Sequence, residues 1–217
     1  MNVRLISITK PVLPEIEHFT PEEYMAYVAR VSNPANQMNS ETSSKLLGYC
    51  IRNNHWSVFE HVSLTFEIKT SLAIATQILR HRSGVFQQFS GRYSAAMNNE
   101  IYPARRQDAK NRQNSIDDMS QEDKDWFEEA QQSNWEEAFA LYNEALNRGI
   151  AKEQARFLLP TSTQTTLYFT NNVRNFLHYI DLRTDPSTQK EHRDIALEMK
   201  SVFIDQFPAI SEAKGWK

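Results

Sequence analysis

The sequence predicts an α+β protein of one domain, mostly helical with one small sheet. Its 217 residues suffice for a single sizeable core, and 40% hydrophobic with 24% charged residues is ordinary for a globular protein. Most apolar residues repeat at helical spacing, whereas a strict two-residue alternation runs from Val62 to Lys69. The predicted strands and helices do not alternate as βαβ units would. We therefore predict one α+β domain over residues 1–217.

The first part of the chain predicts a strand followed by two helices. Val3 to Ile8 has the composition of a short strand. Thr20 and Glu23 are spaced as a capping box, which predicts a helix that ends near Val31. A second helix is predicted over Ser44 to Arg52, and Cys50 is expected in the core because no cation or histidine flanks it to lower its pKa.

The alternating strand leads directly into a helix for which Ser71 is the predicted N-cap. The expected buried side of that helix consists of Leu72, Ala75 and Leu79. The opposite side is polar and consists of Gln77, Arg80 and His81.

The middle of the chain is predicted to be a long exposed loop and then a long helix. Residues Ala96 to Met119 are polar and lack periodicity, so little structure is expected there. Ser120 is the predicted N-cap of a helix through Asn147, with Trp126 and Phe127 in the core.

The last part predicts three helices and one strand. Helices are expected over Lys152 to Leu159, Asn171 to Arg183 and Thr188 to Phe207. The threonines and aromatics of Thr163 to Thr170 favour a strand, and the tail from Ser211 onward is expected to fray.

Composition and charge argue against several classes of protein. The net charge of −3 is unusual for a general nucleic-acid binder, and no apolar run approaches the ~20 residues of a membrane span. The N-terminal segment lacks a signal-peptide layout, and the single cysteine, Cys50, fits a reducing cytoplasm. The five glycines form neither a Rossmann fingerprint nor a P-loop. Any nucleotide phosphate must therefore be held by side chains and helix ends.

One stretch concentrates positive charge without any negative charge. Residues Thr70 to Asn99 contain three arginines and no Asp or Glu, although the chain is acidic overall. Something anionic is the natural complement. The main alternative is a nucleic-acid contact in which Phe86, Phe89 and Tyr93 stack on bases. A metal site at His55, Glu60 and His61 is not predicted, since no further ligand spacing supports it.

The same stretch carries a family resemblance. Arg80-His81-Arg82, seven residues, Ser90 and then Gly91-Arg92-Tyr93 resembles the signature of the flavin-dependent thymidylate synthases. Gly149 to Pro160 and Asn172 to Arg183 resemble further segments of that family, so the likeness covers nearly the whole chain. The resemblance implies the fold of that family, FAD as cofactor, and dUMP, methylenetetrahydrofolate and NADPH as small-molecule substrates. It also implies a homotetramer with sites shared between subunits, without nucleic acid, membrane or metal.

The resemblance also implies the site residues. Contacts to FAD are implied for Ser57, Arg80, His81, Arg82, Gln88, Asn172, Val173, Arg174 and His178. Contacts to dUMP are implied for Gln77, Arg80, Gln88, Phe89, Ser90, Gly91, Arg92, Arg156 and Arg183. Gln88 stands where many members carry Glu, and His178 stands where Asn is common.

The chain offers no obvious nucleophile to activate a uracil ring. Cys50 is expected in the core, and Ser90 has no base close to it in sequence, although one could come from elsewhere in the fold. Electrostatic activation by a guanidinium remains, and the resemblance assigns it to Arg183. A flavoenzyme of another reaction would be yellow but indifferent to dUMP, and a purely structural helical protein would show neither property.

Overall fold

The computed structural model describes residues 2–95 and 98–216. The helices are α1 (Pro21–Ala29), α2 (Ser43–Arg52), α3 (Leu72–Ile78), α4 (Gln121–Asn147), α5 (Lys152–Ala155), α6 (Val173–Arg183), α7 (Lys190–Gln206) and α8 (Pro208–Ala213). The strands are β1 (Asn2–Ile8), β2 (Ser63–Ser71), β3 (Val85–Gln88), β4 (Arg106–Gln107), β5 (Ser115–Ile116) and β6 (Gln164–Asn172). Short 3₁₀ turns occupy Pro34–Asn36, Ser57–Glu60 and Arg156–Leu158. The predicted α+β class with a small sheet is confirmed.

The main sheet is antiparallel, with the strand order β1-β2-β6-β3. Its two central strands pair along their whole length, from Ser63 opposite Asn172 to Ser71 opposite Gln164. One side of this pair is fully buried and consists of Leu64, Phe66, Ile68, Leu167 and Phe169. The other side carries polar residues such as Lys69, which is exposed. An antiparallel sheet with one covered side explains the strict alternation seen in the sequence.

Both central strands pass into a helix without a linking loop. Ser71 is the last residue of β2 and the N-cap of α3, and its hydroxyl accepts a hydrogen bond from the Ile74 N–H at 3.4 Å. Asn172 is the last residue of β6 and the N-cap of α6, and its side-chain oxygen accepts from the Asn175 N–H at 2.9 Å. The residues that follow each cap are therefore positioned by the sheet itself.

Helix α3 buries a different side from the predicted one. Its buried residues are Ile74, Ala75 and Ile78, whereas Leu72 and Leu79 are 37% and 36% exposed. Four of the first five residues of the stretch are apolar, so periodicity alone could not set the rotation of the helix. The helix also ends at Ile78, so Arg80 and His81 lie in the turn beyond it.

Strand β3 follows that turn and was not predicted. The β-branched and aromatic pair Val85-Phe86 favours a strand, but most of the residues around it are polar, so the signal in the sequence is weak. Phe86 stacks on Phe169 with ring centroids 4.5 Å apart. Phe86 belongs to the core, so it is not available to stack on a base.

The segment predicted as an exposed loop is anchored at several points, with residues 96 and 97 outside the described residues. The Tyr102 hydroxyl donates to Ser71 Oγ at 2.9 Å, and the side chain of Arg105 is only 11% exposed. Strands β4 and β5 pair within the segment. Single long-range contacts of this kind leave no periodic signal in sequence.

Two further expectations about packing are wrong. Trp126 and Phe127 of α4 are 66% and 37% exposed, because α4 buries only Trp135, Tyr142 and Ala145. The chain end does not fray before residue 216. Ser211 lies in α8, and Trp216 packs edge-on against Phe203 with ring centroids 5.6 Å apart.

Thr20 and Glu23 form the predicted capping box at the start of α1, and Cys50 is buried as predicted. In the described ranges, none of the helices combines the length and apolar character needed to cross a membrane.

Candidate active site

A cluster of cationic and neutral imidazole groups forms where α3 and α6 end. Arg183, the last residue of α6, donates from Nε to His81 Nε2 at 2.7 Å. Burial, then the charge of Arg183 and the nearby His178, lower the pKa of His81 to about 4. His81 is therefore neutral near pH 7, and its Nε2 lone pair can accept from the guanidinium.

The cluster is backed by a buried pair. The ring of Tyr179 meets His81 edge-on, with centroids 4.6 Å apart, and its hydroxyl lies 3.0 Å from His192 Nε2. Burial raises the pKa of Tyr179, so the phenol keeps its proton. Burial, with Arg183 and His81 nearby, lowers the pKa of His192 to about 3. The wall behind Arg183 is thus made of uncharged rings.

A second set of polar contacts runs from α3 to the start of α7. Gln77 Nε2 donates to Gln189 Oε1 at 2.6 Å, and Gln189 Nε2 donates to Glu191 Oε2 at 2.8 Å. The buried carboxylate of Glu191 also pairs with Arg105 Nη2 at 2.5 Å. The Nε of Arg105 donates in turn to Ser115 Oγ at 2.8 Å. These contacts hold the side chain of Gln77 at the N-terminal end of α7.

A separate open pocket of about 350 Å³ lies beside the end of β3. Its lining includes five of the implied dUMP residues, Gln88, Phe89, Ser90, Gly91 and Arg156. Gln88 Nε2 donates to Thr165 Oγ1 at 3.3 Å, which leaves its carbonyl oxygen available. Neither Gln77 nor Arg183 lines this pocket.

The rim of the pocket is suited to an anion. In the ranges that the structure describes, the backbone N–H groups of Ser90, Gly91 and Arg92 have no acceptor. Arg156 has no carboxylate partner there, and Arg92 forms only an exposed pair with Glu153 at 3.2 Å. Exposed pairs contribute roughly 0–1 kcal/mol, so a phosphate could replace Glu153 at little cost. Successive N–H groups beside two guanidiniums, both of which contact Glu153, are the kind of donors that bind phosphate.

The implied FAD residues form a partly solvent-facing set. Arg80, Arg82 and His178 are exposed or nearly so, and no described carboxylate pairs with either arginine. Unpaired guanidinium groups suit a pyrophosphate, so these residues fit a flavin dinucleotide in charge and donor type. Arg174 pairs with Glu60 at the surface, close to Ser57 at the start of the neighbouring 3₁₀ turn.

Two implied FAD residues have their main groups already engaged. Asn172 caps α6 with its side-chain oxygen, so its amide nitrogen is what remains for a ligand. Val173 is fully buried, and its N–H donates to the Val62 carbonyl at 2.9 Å. Its role as a flavin contact stays a prediction.

The structure thus gathers the implied residues into separate places within one chain. His81 and Arg183 are in contact where α3 and α6 end, with Gln77 in the last turn of α3, whereas Ser90 and Arg156 lie at the pocket beside β3. Neither place holds a full set of contacts for a nucleotide with both a ring and a phosphate.

Sequence reasoning missed three of the supporting residues of the site, Arg105, Tyr179 and His192. Gln189 and Glu191 match the family pattern in sequence, but no role was predicted for either. The available signal was helical spacing, because Glu191 and His192 lie one turn before the apolar Ile195 and Ala196 on the same side of the predicted helix. No grouping of three or more possible metal ligands occurs among residues 2–95 and 98–216.

Comparison with known proteins assigns the family. The family described as "Thymidylate synthase complementing protein" matches residues 16–209. The chain is 53% identical to a flavin-dependent thymidylate synthase of a Synechocystis species, over 100% of both chains. This chain belongs to that family. A probable flavin-dependent thymidylate synthase of Paramecium bursaria Chlorella virus 1 is 51% identical, again over 100% of both chains.

A solved structure of the same fold supports the assignment. It is a UMP/dUMP methylase from Streptomyces cacaoi bound with 5-Br dUMP, with a TM-score of 0.82 and 26% identity. The match covers 99% of this chain and 95% of that one. The predicted membership of a flavin-dependent family of enzymes is therefore confirmed.

Proposed function

We propose that this protein makes dTMP from dUMP by reductive methylation. Methylenetetrahydrofolate is the carbon donor and NADPH is the source of electrons, and FAD, when bound, supplies the hydride chemistry. The main supporting observation is the rim beside β3, where the N–H groups of Ser90, Gly91 and Arg92 have no acceptor among the described residues. The side chain of Arg156 passes close to Gly91 and has no carboxylate partner there. The names of the relatives supply the reaction, and this rim supplies a place for the phosphate of its substrate.

Each group of the site has a distinct role in this proposal. Ser90, Gly91, Arg92 and Arg156 bind the dUMP phosphate, and Gln88 and Phe89 line the wall of the same pocket. Arg80, Arg82 and Arg174 bind the anionic part of FAD, with Ser57, Asn172, Val173 and His178 along it. A charge-assisted hydrogen bond contributes roughly 1.5–3 kcal/mol, so several arginines can hold two polyanions without a glycine-rich loop.

Arg183 is the proposed activating group. A guanidinium is always protonated near neutral pH, so it can stabilise negative charge that develops at uracil N3 and O4 without acting as a base. Its Nε is held by His81, which accepts only because it is neutral. This bond limits the rotation of the guanidinium and leaves its Nη groups for the substrate.

A protein nucleophile is not needed in this scheme. Cys50 is 4% exposed, and burial raises the pKa of its thiol, so a reactive thiolate is not available. The Ser90 hydroxyl has no hydrogen bond to a histidine or carboxylate within the described ranges. Both observations support electrostatic activation of the ring.

The separation of Arg183 from Arg156 supports sites shared between subunits. We propose a homotetramer in which the α3–α6 end of one chain supplies the contacts to the uracil ring and the pocket beside β3 of another chain holds the phosphate. The exposed Trp126, Phe127 and Leu141 on α4 give such an assembly apolar surface to cover. Light scattering of the active protein tests this, and an active monomer would contradict it. The lone cysteine supports a cytoplasmic location.

The central experiment measures dTMP formation by the purified, FAD-supplied protein. The wild-type protein should be yellow and convert dUMP to dTMP only with methylenetetrahydrofolate and NADPH present. Arg156→Ala should raise the KM for dUMP strongly, because it removes the guanidinium at the phosphate site. Arg148→Ala is the matched control, since Arg148 is an exposed arginine paired with Glu144 on α4.

The substrate assay also distinguishes the two nucleotides in the name of the Streptomyces cacaoi enzyme. UMP is offered in parallel with dUMP, and dUMP is expected to be preferred. A colourless protein that cannot be reconstituted with FAD, or one that leaves dUMP unchanged, would overturn the proposal.

A further inference from the structure

The side-chain amide of Gln77 can face a ligand with either its oxygen or its nitrogen, and the two choices have opposite consequences. Uracil presents a donor at N3–H, whereas cytosine presents an acceptor at N3. An amide oxygen accepts and an amide nitrogen donates. The rotation of one amide therefore decides which of two similar pyrimidines the site favours.

In the structure, the rotation of the Gln77 amide is set by the carboxylate of Glu191, to which Gln77 is linked through Gln189. Glu191 pairs with Arg105 through Oε1, and a carboxylate only accepts hydrogen bonds. The group that Gln189 turns towards Glu191 Oε2 must then be its NH₂, at 2.8 Å. Gln189 is left with its oxygen facing Gln77.

The orientation of Gln189 fixes that of Gln77 in turn, because an amide oxygen can only accept a hydrogen bond. The oxygen of Gln189 accepts from Gln77 Nε2 at 2.6 Å. Gln77 Oε1 has no donor among the described residues, so it is the free end of the amide. Hydrogen bonds are therefore donated in one fixed direction, from Gln77 to Gln189 and from Gln189 to Glu191, whose other oxygen is held by Arg105. We call these four residues the relay.

We propose that the Arg105–Glu191 ion pair acts through Gln189 to orient Gln77 with its oxygen towards the pyrimidine, so that the site selects uracil over cytosine. Glu191 and Gln189 are positioning residues, since neither is assigned a contact with substrate. The inference rests on the proposed function and adds to it that Gln77, one of the implied dUMP contacts, meets the pyrimidine ring at N3.

The test exploits a substitution that should reverse every bond in the chain of amides. In Glu191→Gln, the new amide oxygen faces Arg105 and its NH₂ faces Gln189. Gln189 then turns its oxygen to residue 191 and its NH₂ to Gln77, which leaves the Gln77 NH₂ facing the ligand. The ratio of the dCMP and dUMP dissociation constants should fall on the order of tenfold or more, because one net hydrogen bond changes sign.

A second change should restore the original direction. In the double variant Glu191→Gln with Gln189→Glu, the acceptor-only carboxylate again faces Gln77 Nε2, and the net charge equals that of the wild type. The preference for dUMP should return. A general loss of structure at residue 191 would not be repaired by a second substitution at the exposed Gln189.

Binding of dUMP and dCMP to the FAD-loaded protein is measured by calorimetry, with melting temperatures recorded for each variant. Asp194→Asn is the matched control, since it makes the same change of carboxylate to amide on α7 at a pair with Lys190 outside the relay. Should Glu191→Gln destabilise the fold, Gln189→Met cuts the relay at an exposed residue and should lower the ratio partway.

The outcomes separate the two proposals. Failure of the wild-type protein to bind dUMP would count against the proposed function. Normal dUMP binding with an unchanged dCMP to dUMP ratio in Glu191→Gln and Gln189→Met would overturn the relay. A restored ratio in the double variant supports it.

Discussion

Removal of the buried imidazole of His192 should weaken the acid sensitivity of the fold. His192 is fully buried, and burial, Arg183 and His81 lower its pKa to about 3 from 6.5. Between those two values the unfolded chain binds a proton that the folded chain does not. The free energy of unfolding therefore falls as the pH falls, by about 1.4 kcal/mol per pH unit for this one group.

The perturbation is His192→Gln, with His192→Phe as an apolar alternative. Between pH 6.5 and 4.5 the wild type should lose about 2.3 kcal/mol through His192, since the unfolded imidazole is only half protonated at pH 6.5, and the variants should lack that part of the slope. Other groups titrate in the same range, but they are common to both proteins and cancel in the comparison. His81 adds a smaller share to both slopes, because it is partly exposed.

The assay is urea denaturation at a series of pH values and one fixed protein concentration, since an oligomer's stability depends on concentration. Tyr179→Phe is the control. It removes the hydroxyl at 3.0 Å from His192 Nε2 but leaves the imidazole buried, so stability falls while the pH slope stays. Equal slopes for the wild type and both His192 variants would refute the reasoning.

Three further predictions follow from the same structure. Arg183→Ala should keep FAD and its reduction by NADPH but lose dTMP formation by on the order of 10²-fold, with little rescue by Lys; flavin reduction and dTMP production are assayed separately at saturating dUMP. Gly84→Ala should destabilise the fold by about 1–3 kcal/mol in urea titration, because a Cβ there would lie 2.2 Å from the buried ring of Phe169; an unchanged midpoint would contradict this. Arg105→Met should cost about 3–5 kcal/mol because it strands a buried carboxylate, whereas Arg106→Met, from an exposed pair, should cost under about 1 kcal/mol; equal losses would contradict the distinction.

The sequence was sufficient for features that depend on neighbours along the chain. Thr20 with Glu23 and the alternation of β2 are local patterns, and both correspond to what is observed. The same holds for the N-caps at Ser71 and Ser120, each followed by a helix at the expected residue.

It was insufficient where a distant contact decides. The residues around Trp126 in the sequence do not indicate that α4 buries its other side. The residues around Arg105 likewise do not indicate that its side chain pairs with Glu191. The implied site residues came from a motif, but the motif does not say which of them share a place in one chain. Only the structure shows that Arg183 contacts His81 whereas Arg156 lines a different pocket.

The direct passage from strand to helix at Ser71 and at Asn172 limits how the length of this chain can vary. One residue inserted into β2 would exchange the inward and outward sets of the strand beyond it. It would also turn Gln77 by about 100° around α3, away from Gln189. A residue added near Lys110, in the turn between β4 and β5, would meet only solvent. Insertions and deletions among relatives should therefore collect in that turn and spare the two central strands.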